Sequence, residues 1–217
     1  MDFEQARFNM VEQQIRPWRV ADQDILDLAY LVPREEFVAP ALRDLAFADL
    51  EIPIGEGERM WQPRIEARAL QALAVRKPER VLEIGTGSGY LTALLAHRAA
   101  QVVSVELRAG LAEFGRANLA RHGVDNITLE VGDGAQGWPG HAPYDVIVLT
   151  GSVPVLSERL LAQLAPGGRL FAVIGDAPVM VATLVTCIGP GNFRRAALFE
   201  TILAPLAHCD QPARFRF

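Results

Sequence analysis

Two rhythms of apolar and polar positions divide the chain. From residue 80 onward, short apolar runs alternate with amphipathic stretches. Arg80 to Ile84 (RVLEI) predicts a strand, Thr92 to Ala99 a helix, and Gln101 to Glu106 (QVVSVE) a second strand. Ala109 to His122 predicts a helix with Leu111, Phe114 and Leu119 facing inward, ended at Gly123. Ile127 to Val131 and the strongly apolar Tyr144 to Thr150 (YDVIVLT) read as strands. Ser157 to Leu164 reads as a helix that Ser157 can cap, and Arg169 to Ile174 as a further strand. Strands alternating with helices specify a parallel sheet covered on both faces. The rhythm then changes. Val179 to Ile188 and Phe193 to Leu203 are β-rich runs split by Gly189-Pro190-Gly191-Asn192, a hairpin that gives the sheet an antiparallel edge. The expected fold is therefore α/β, with seven mostly parallel strands.

The front of the chain has a different pattern. Phe3, Ala6, Phe8, Met10, Val11 and Ile15 recur at roughly helical spacing until Pro17 interrupts them. Ala21 to Val32 predicts an amphipathic helix stopped before Pro33, and Ala41 to Ala46 a short helical piece. Ile52-Pro53-Ile54-Gly55-Glu56-Gly57-Glu58, with its proline and paired glycines, reads as a loop. After Pro63, Arg64 to Val75 predicts a third helix, with Pro63 suited to its first turn. The expected organisation is a helical region over 1–76 and a strand–helix core over 77–217, forming one compact unit.

Composition narrows the chemistry. The 217 residues are 50% hydrophobic and 22% charged, enough for a sizeable core. A net charge of −5 argues against a nucleic-acid protein held mainly by phosphate contacts. Lys77 is the single lysine and precedes Pro78, so no phosphate-binding Walker loop is written here. Cys187 and Cys209 form no CxxC pair. His97, His122, His141 and His208 form no HExxH and share no helical face, so no metal site is expected. There is no basic-then-apolar leader and no run of about 20 apolar residues. A cytoplasmic protein with no membrane partner is the expectation.

The sharpest local signal is Leu82-Glu83-Ile84-Gly85-Thr86-Gly87-Ser88-Gly89, between a strand and a helix. Glycines there let the backbone turn tightly and approach a ligand at the carboxyl end of the first strand. The spacing is GxGxG rather than GxGxxG, which disfavours a nicotinamide dinucleotide. Glu106 ends the second strand, where a carboxylate can accept both hydroxyls of a ribose. Asp133 follows the third strand within Val131-Gly132-Asp133-Gly134. It can meet an adenine amino group while Gly134 leaves space for the ring. Singly, each acid reads as a solvated loop residue; three features at successive strand ends form a constellation.

LEIGTGSGY, VE at the second strand end, GDG, YDVIVLT and LAPGGRL together resemble the class I S-adenosylmethionine-dependent methyltransferases. The resemblance is closer still to the protein-L-isoaspartate O-methyltransferase family. It is carried by MVEQQI (Met10 to Ile15), VPREEFV (Val32 to Val38), Pro53-Ile54-Gly55-Glu56-Gly57 with Gln62-Pro63, and GDGAQGWPGHAPYD (Gly132 to Asp145). It implies a Rossmann-like methyltransferase fold with S-adenosyl-L-methionine as cofactor. Glu83 would belong to the cofactor-binding set, Gly85, Thr86, Gly87 and Ser88 would lie under the methionine end, Glu106 would hold the ribose, and Asp133 and Gly134 would sit at the adenine. Thr150 would face the place where acceptor meets methyl group, and Gln62 would belong to the substrate loop.

That loop departs from the family's PIGxGQTISQP form. Arg59 stands at the family's threonine and Trp61 at its serine. Trp61 offers one N–H donor and no acceptor, and could wall off the pocket, stack on a flat substrate or cover the cofactor. Arg59 either pairs with a carboxylate or is a solvated surface arginine. No residue stands out as a general acid or base. Three readings follow: carboxyl methylation of isoaspartyl residues in damaged proteins, methylation of a different and flat small acceptor, or cofactor binding without catalysis. A carboxylate is already ionised at neutral pH and needs no general base, which suits a chain this poor in bases.

Overall fold

The computed structural model describes residues 1–212. The front begins with α1 (Phe3–Met10), whose Asp2 side chain accepts the Glu4 and Gln5 N–H groups. A π-helical turn over Val11–Ile15 and a 3-10 turn over Arg16–Trp18 carry the chain past Pro17. Asp22 caps α2 (Gln23–Leu31), which stops before Pro33.

The stretch expected as a loop at 52–58 is instead a β-hairpin, β1 (Ile52–Gly55) and β2 (Glu58–Met60). The glycines that suggested a loop make its turn: Gly55, Glu56 and Gly57 all have positive φ, at 102°, 52° and 84°. Pro53 is tolerated because a two-stranded ribbon leaves its missing N–H on an edge. Helix α3 (Pro63–Leu73) starts with Pro63 in its first turn, as expected.

The core is a sheet of β3 (Arg80–Ile84), β4 (Gln101–Glu106), β5 (Ile127–Val131), β6 (Tyr144–Val153), β7 (Leu164–Asp176), β8 (Val179–Gly189) and β9 (Asn192–Glu200). Among the described residues it has seven strands, in the order β5-β4-β3-β6-β7-β8-β9. The first five are parallel, and β8 and β9 add antiparallel pairs. Helices α4 (Tyr90–Arg98), α5 (Ala109–Arg121) and α6 (Glu158–Leu161) occupy the crossovers. Alternation along each strand feeds two cores. Val81, Val146, Val148, Phe171 and Val173 face one side, where the front helices pack. Leu82, Ile84, Ile147, Leu149, Leu170 and Ala172 face the other.

Two smaller expectations change. Ser157 precedes α6 but does not cap it, because its hydroxyl donates to Gln136 Oε1; the helix is one turn long. On α5 the buried face is Leu111, Ala112, Gly115, Asn118 and Leu119, leaving Phe114 half-buried. Among the described residues, no helix is long and apolar enough to cross a membrane.

Candidate active site

The strand order reverses beside β3: the chain runs outward through β4 and β5, then returns to β6 on the other side. Crevices at the carboxyl ends of strands around such a point are where open α/β sheets bind ligands. Register levels those ends. Ile84 pairs with Val105 and with Leu149, and Glu106 pairs with Val131, so Gly85, Glu106 and Thr150 end on one row. A cleft of about 1040 Å³, measured out to its open mouth, lies above them. Of the residues singled out from sequence, Arg59, Trp61, Gly85, Thr86, Gly87, Ser88, Glu106, Asp133, Gly134 and Thr150 line it.

Gly85, Gly87 and Gly89 have φ of 99°, 53° and 83°, left-handed conformations that side chains rarely adopt. A Cβ on Gly85 would lie 2.0 Å from Thr150 Oγ1. That hydroxyl reaches the Ile84 carbonyl at 2.8 Å and the Gly85 carbonyl at 3.0 Å, tying the end of β6 to the turn. Glu106 holds the turn from the other side: its Oε2 accepts the Gly87 N–H at 2.9 Å and its Oε1 the Arg108 N–H at 3.1 Å. An ionised carboxylate has about four acceptor positions, so two remain for ribose hydroxyls. Asp133 lies next to Gly134, which packs against Ile84 and Val105, so a carboxylate stands at the edge of an apolar slot. These residues fit S-adenosyl-L-methionine: acceptors for ribose and adenine, apolar walls between them, and a side-chain-free turn below.

Gly134 lines the cleft, and a Cβ there would meet Ile84 Cδ1 at 2.7 Å, so the packing at this position requires glycine. One cofactor expectation changes. Glu83 does not reach the cleft. It is completely buried, and its Oε2 accepts from Thr92 Oγ1 at 2.5 Å and Ser104 Oγ at 2.6 Å. Ser104 in turn meets Thr86 Oγ1 at 2.6 Å, so Glu83 supports the glycine turn from beneath. Burial pushes its carboxyl up to about 8, against the two hydroxyl donors, which lower it. Its odd position in β3 explains the placement, because it points to the face covered by α4.

The front of the chain walls the cleft on the side of Trp61. Trp61 is only 6% exposed, and its Nε1–H donates to the Thr150 carbonyl at 2.8 Å. Its ring lies against Phe171, with centroids 6.2 Å apart. The indole is thus a wall with its one donor already used. Gln62 lies outside the cleft, where it accepts from the Arg64 guanidinium. Arg59 is exposed on β2 and lines the cleft beside Glu51. Burial pushes the Glu51 carboxyl upward, and Arg59 pulls it back.

Sequence reasoning missed the support behind this wall. Arg34 is completely buried; its Nε donates to the Ala46 carbonyl at 2.9 Å, and its other nitrogens bond Glu66 and the Trp61 carbonyl. The guanidinium also lies 4.8 Å from the centre of the Tyr90 ring. Burial pushes the Glu66 carboxyl upward, opposed by Arg34. Arg34 belongs to VPREEFV, so a signal was present, but nothing local distinguishes it from a surface arginine. Likewise Glu58 of the hairpin meets Arg108 at 2.5 Å, bridging β2 to the loop two residues beyond Glu106.

A protein-family profile described as protein-L-isoaspartate(D-aspartate) O-methyltransferase matches residues 5–209. A protein-L-isoaspartate O-methyltransferase from Methanoculleus marisnigri is 48% identical over 169 residues, 78% of this chain and 77% of that one. One from Syntrophobacter fumaroxidans is 39% identical, covering 91% of this chain and 92% of the relative. Among solved structures, a protein-L-isoaspartate O-methyltransferase superposes with a TM-score of 0.78 at 29% identity, over 92% of this chain and 65% of the other. A Plasmodium falciparum protein described as a β-aspartate methyltransferase, in complex with S-adenosyl-L-homocysteine, has the same fold, with a TM-score of 0.77 at 22% identity over 91% of this chain and 96% of that one. With the levelled strand ends, the cleft and the glycine turn, these matches establish that the chain belongs to the protein-L-isoaspartate(D-aspartate) O-methyltransferase family, enzymes dependent on S-adenosylmethionine.

Proposed function

We propose that this enzyme methylates the free α-carboxylate of isoaspartyl residues in proteins and peptides, with residues 1–76 shaping the acceptor end. The observation that carries the reading is the character of that end. Arg59 lines it exposed, while Trp61 and Thr150 have their donors committed elsewhere. Among the described lining residues there is no histidine, lysine or cysteine. A guanidinium without a nearby neutral base suits a nucleophile that arrives already charged.

S-adenosylmethionine, when bound, supplies a methyl group already activated by its sulfonium. The chain's own contribution is alignment. Glu106 and Asp133 hold the ribose and adenine, and the glycine turn keeps side chains from under the methionine end. Arg59 pairs with the acceptor carboxylate, and Thr150 shapes the meeting point without donating to it. Placing two reactants in line in this way removes much of the entropic barrier to a bimolecular step. A flat acceptor stacking on Trp61 is the less favoured reading, because the indole is nearly all buried against Phe171.

The test is methyl transfer from S-adenosylmethionine to an isoaspartyl peptide and to its normal aspartyl counterpart. We expect transfer to the first only. Arg59→Ala should raise the peptide KM about tenfold while changing kcat little, the loss of one charge-assisted contact. Trp61→Ser, which restores the family's residue, should retain activity. An enzyme that binds cofactor by calorimetry yet leaves the isoaspartyl peptide unmodified refutes the acceptor assignment.

A further inference from the structure

The C-terminal segment after β9 crosses the cleft. Leu203, Ala204, Pro205, Leu206 and Ala207 all line it. One end is fastened to the tip of β6: the Ser152 N–H donates to the Ala204 carbonyl at 2.9 Å, and the Leu206 N–H to the Ser152 carbonyl at 2.8 Å. The Ser152 hydroxyl adds a bond to the Leu203 carbonyl at 3.0 Å. A Cβ at Gly151 would lie 2.8 Å from the Leu206 nitrogen, so the close approach depends on that glycine.

The other end is fastened at Asp133. His208 Nδ1 lies 2.8 Å from Asp133 Oδ2, and two residues on, Asp210 Oδ1 accepts from Gln136 Nε2 at 2.8 Å. The chain turns at His208, whose φ is 58°. Asp133 Oδ1 meanwhile accepts the Ala135 N–H at 3.0 Å. The Asp133 side chain is 49% exposed and the His208 side chain 65% exposed. An aspartate this open has several rotamers within reach; His208 and the Ala135 N–H together select one. Each carboxylate oxygen has a second lone pair, so both contacts are compatible with accepting a further donor from the slot.

We propose that His208 is a positioning residue for the cofactor: it holds the Asp133 carboxylate where it accepts the adenine 6-amino group. This rests on the reading that Asp133 meets adenine. The C-terminal segment thereby joins the acceptor end of the cleft, at Gly151 and Ser152, to its adenine end. Cofactor affinity then depends on a side chain that never touches the cofactor.

Calorimetric titration of the full chain with S-adenosylhomocysteine tests this without any methyl acceptor. His208→Gly removes the imidazole without straining the left-handed backbone, and should weaken binding about fivefold. His208→Asn keeps a donor near the Nδ1 position and should restore most of the affinity. In an Asp133→Ala background, His208→Gly should cost nothing further. S-inosylhomocysteine, which lacks the 6-amino group, should bind wild type and His208→Gly alike. Equal losses for both ligands, or additive losses in the double variant, overturn the inference, since a merely structural strap would act that way. Wild-type affinity for Asp133→Ala overturns the adenine placement beneath it. A weakened Asp133→Ala beside an unaffected His208→Gly overturns only the role of His208.

Discussion

The cleft's two ends are made differently. The end proposed for the cofactor is assembled from successive strand tips of one sheet: Gly85 after β3, Glu106 at the end of β4, Asp133 after β5. Its holding bonds run from backbone N–H groups to carboxylates, either across neighbouring tips, as from Gly87 to Glu106, or within one loop, as from Ala135 to Asp133. The end proposed for the acceptor is assembled from segments far apart in the chain. Trp61 of the front meets Thr150 of β6, and buried Arg34 holds the Trp61 carbonyl in place. The cofactor end keeps the family's residues, whereas Arg59 and Trp61 depart from its loop pattern. An end built on strand register has its geometry fixed by backbone pairing. An end built on side-chain packing can exchange one wall for another.

That contrast can be broken in three places. The largest effect is expected at Arg34→Ala, which leaves Glu66 buried without its partner and removes the prop behind Trp61. Breaking a buried pair costs about 3–5 kcal/mol, so denaturant midpoints should fall sharply. A small loss would mean that the acceptor wall does not depend on this pair. Gly85→Ala acts on the cofactor end. Its Cβ would collide with the Thr150 hydroxyl from a left-handed backbone, and S-adenosylhomocysteine affinity should fall on the order of 100-fold. Retained affinity would show that the turn can shift, and the proposed rigidity of this end would be lost.

A third test concerns pH. The Glu83 carboxyl is raised to about 8 by burial. A raised acid contributes stability fully below its ordinary range, and this is lost as pH climbs through the folded value. Between those limits the unfolded chain binds fewer protons, so stability falls by at most about 1.4 kcal/mol per pH unit. Glu83→Gln removes the titration and should flatten the melting curve measured from pH 5 to 8, gaining most at pH 8. Parallel curves for the two proteins would mean that Glu83 stays ionised throughout.

The strand-tip residues Gly85, Glu106 and Asp133 are legible in the sequence because their markers are local. Gly85 directly follows β3, Glu106 closes β4 and Asp133 stands two residues after β5, and all three strands begin and end where their apolar runs do. The 52–58 segment was misread for an equally local reason: glycines mark a turn but do not say whether strands flank it. His208 had no assignable place, since only the closure of the C-terminal segment over the cleft brings it to Asp133.

The sequence alone determined the strand–helix alternation, the glycine turn and the two acidic strand tips, because period and turn chemistry act over a few residues. The tertiary structure decided that Trp61 spends its donor on Thr150, that Glu83 lies beneath the turn rather than in the cleft, and that Arg34 is buried. Each depends on which distant side chain fills the space opposite, and packing of that kind leaves no periodic trace along the chain.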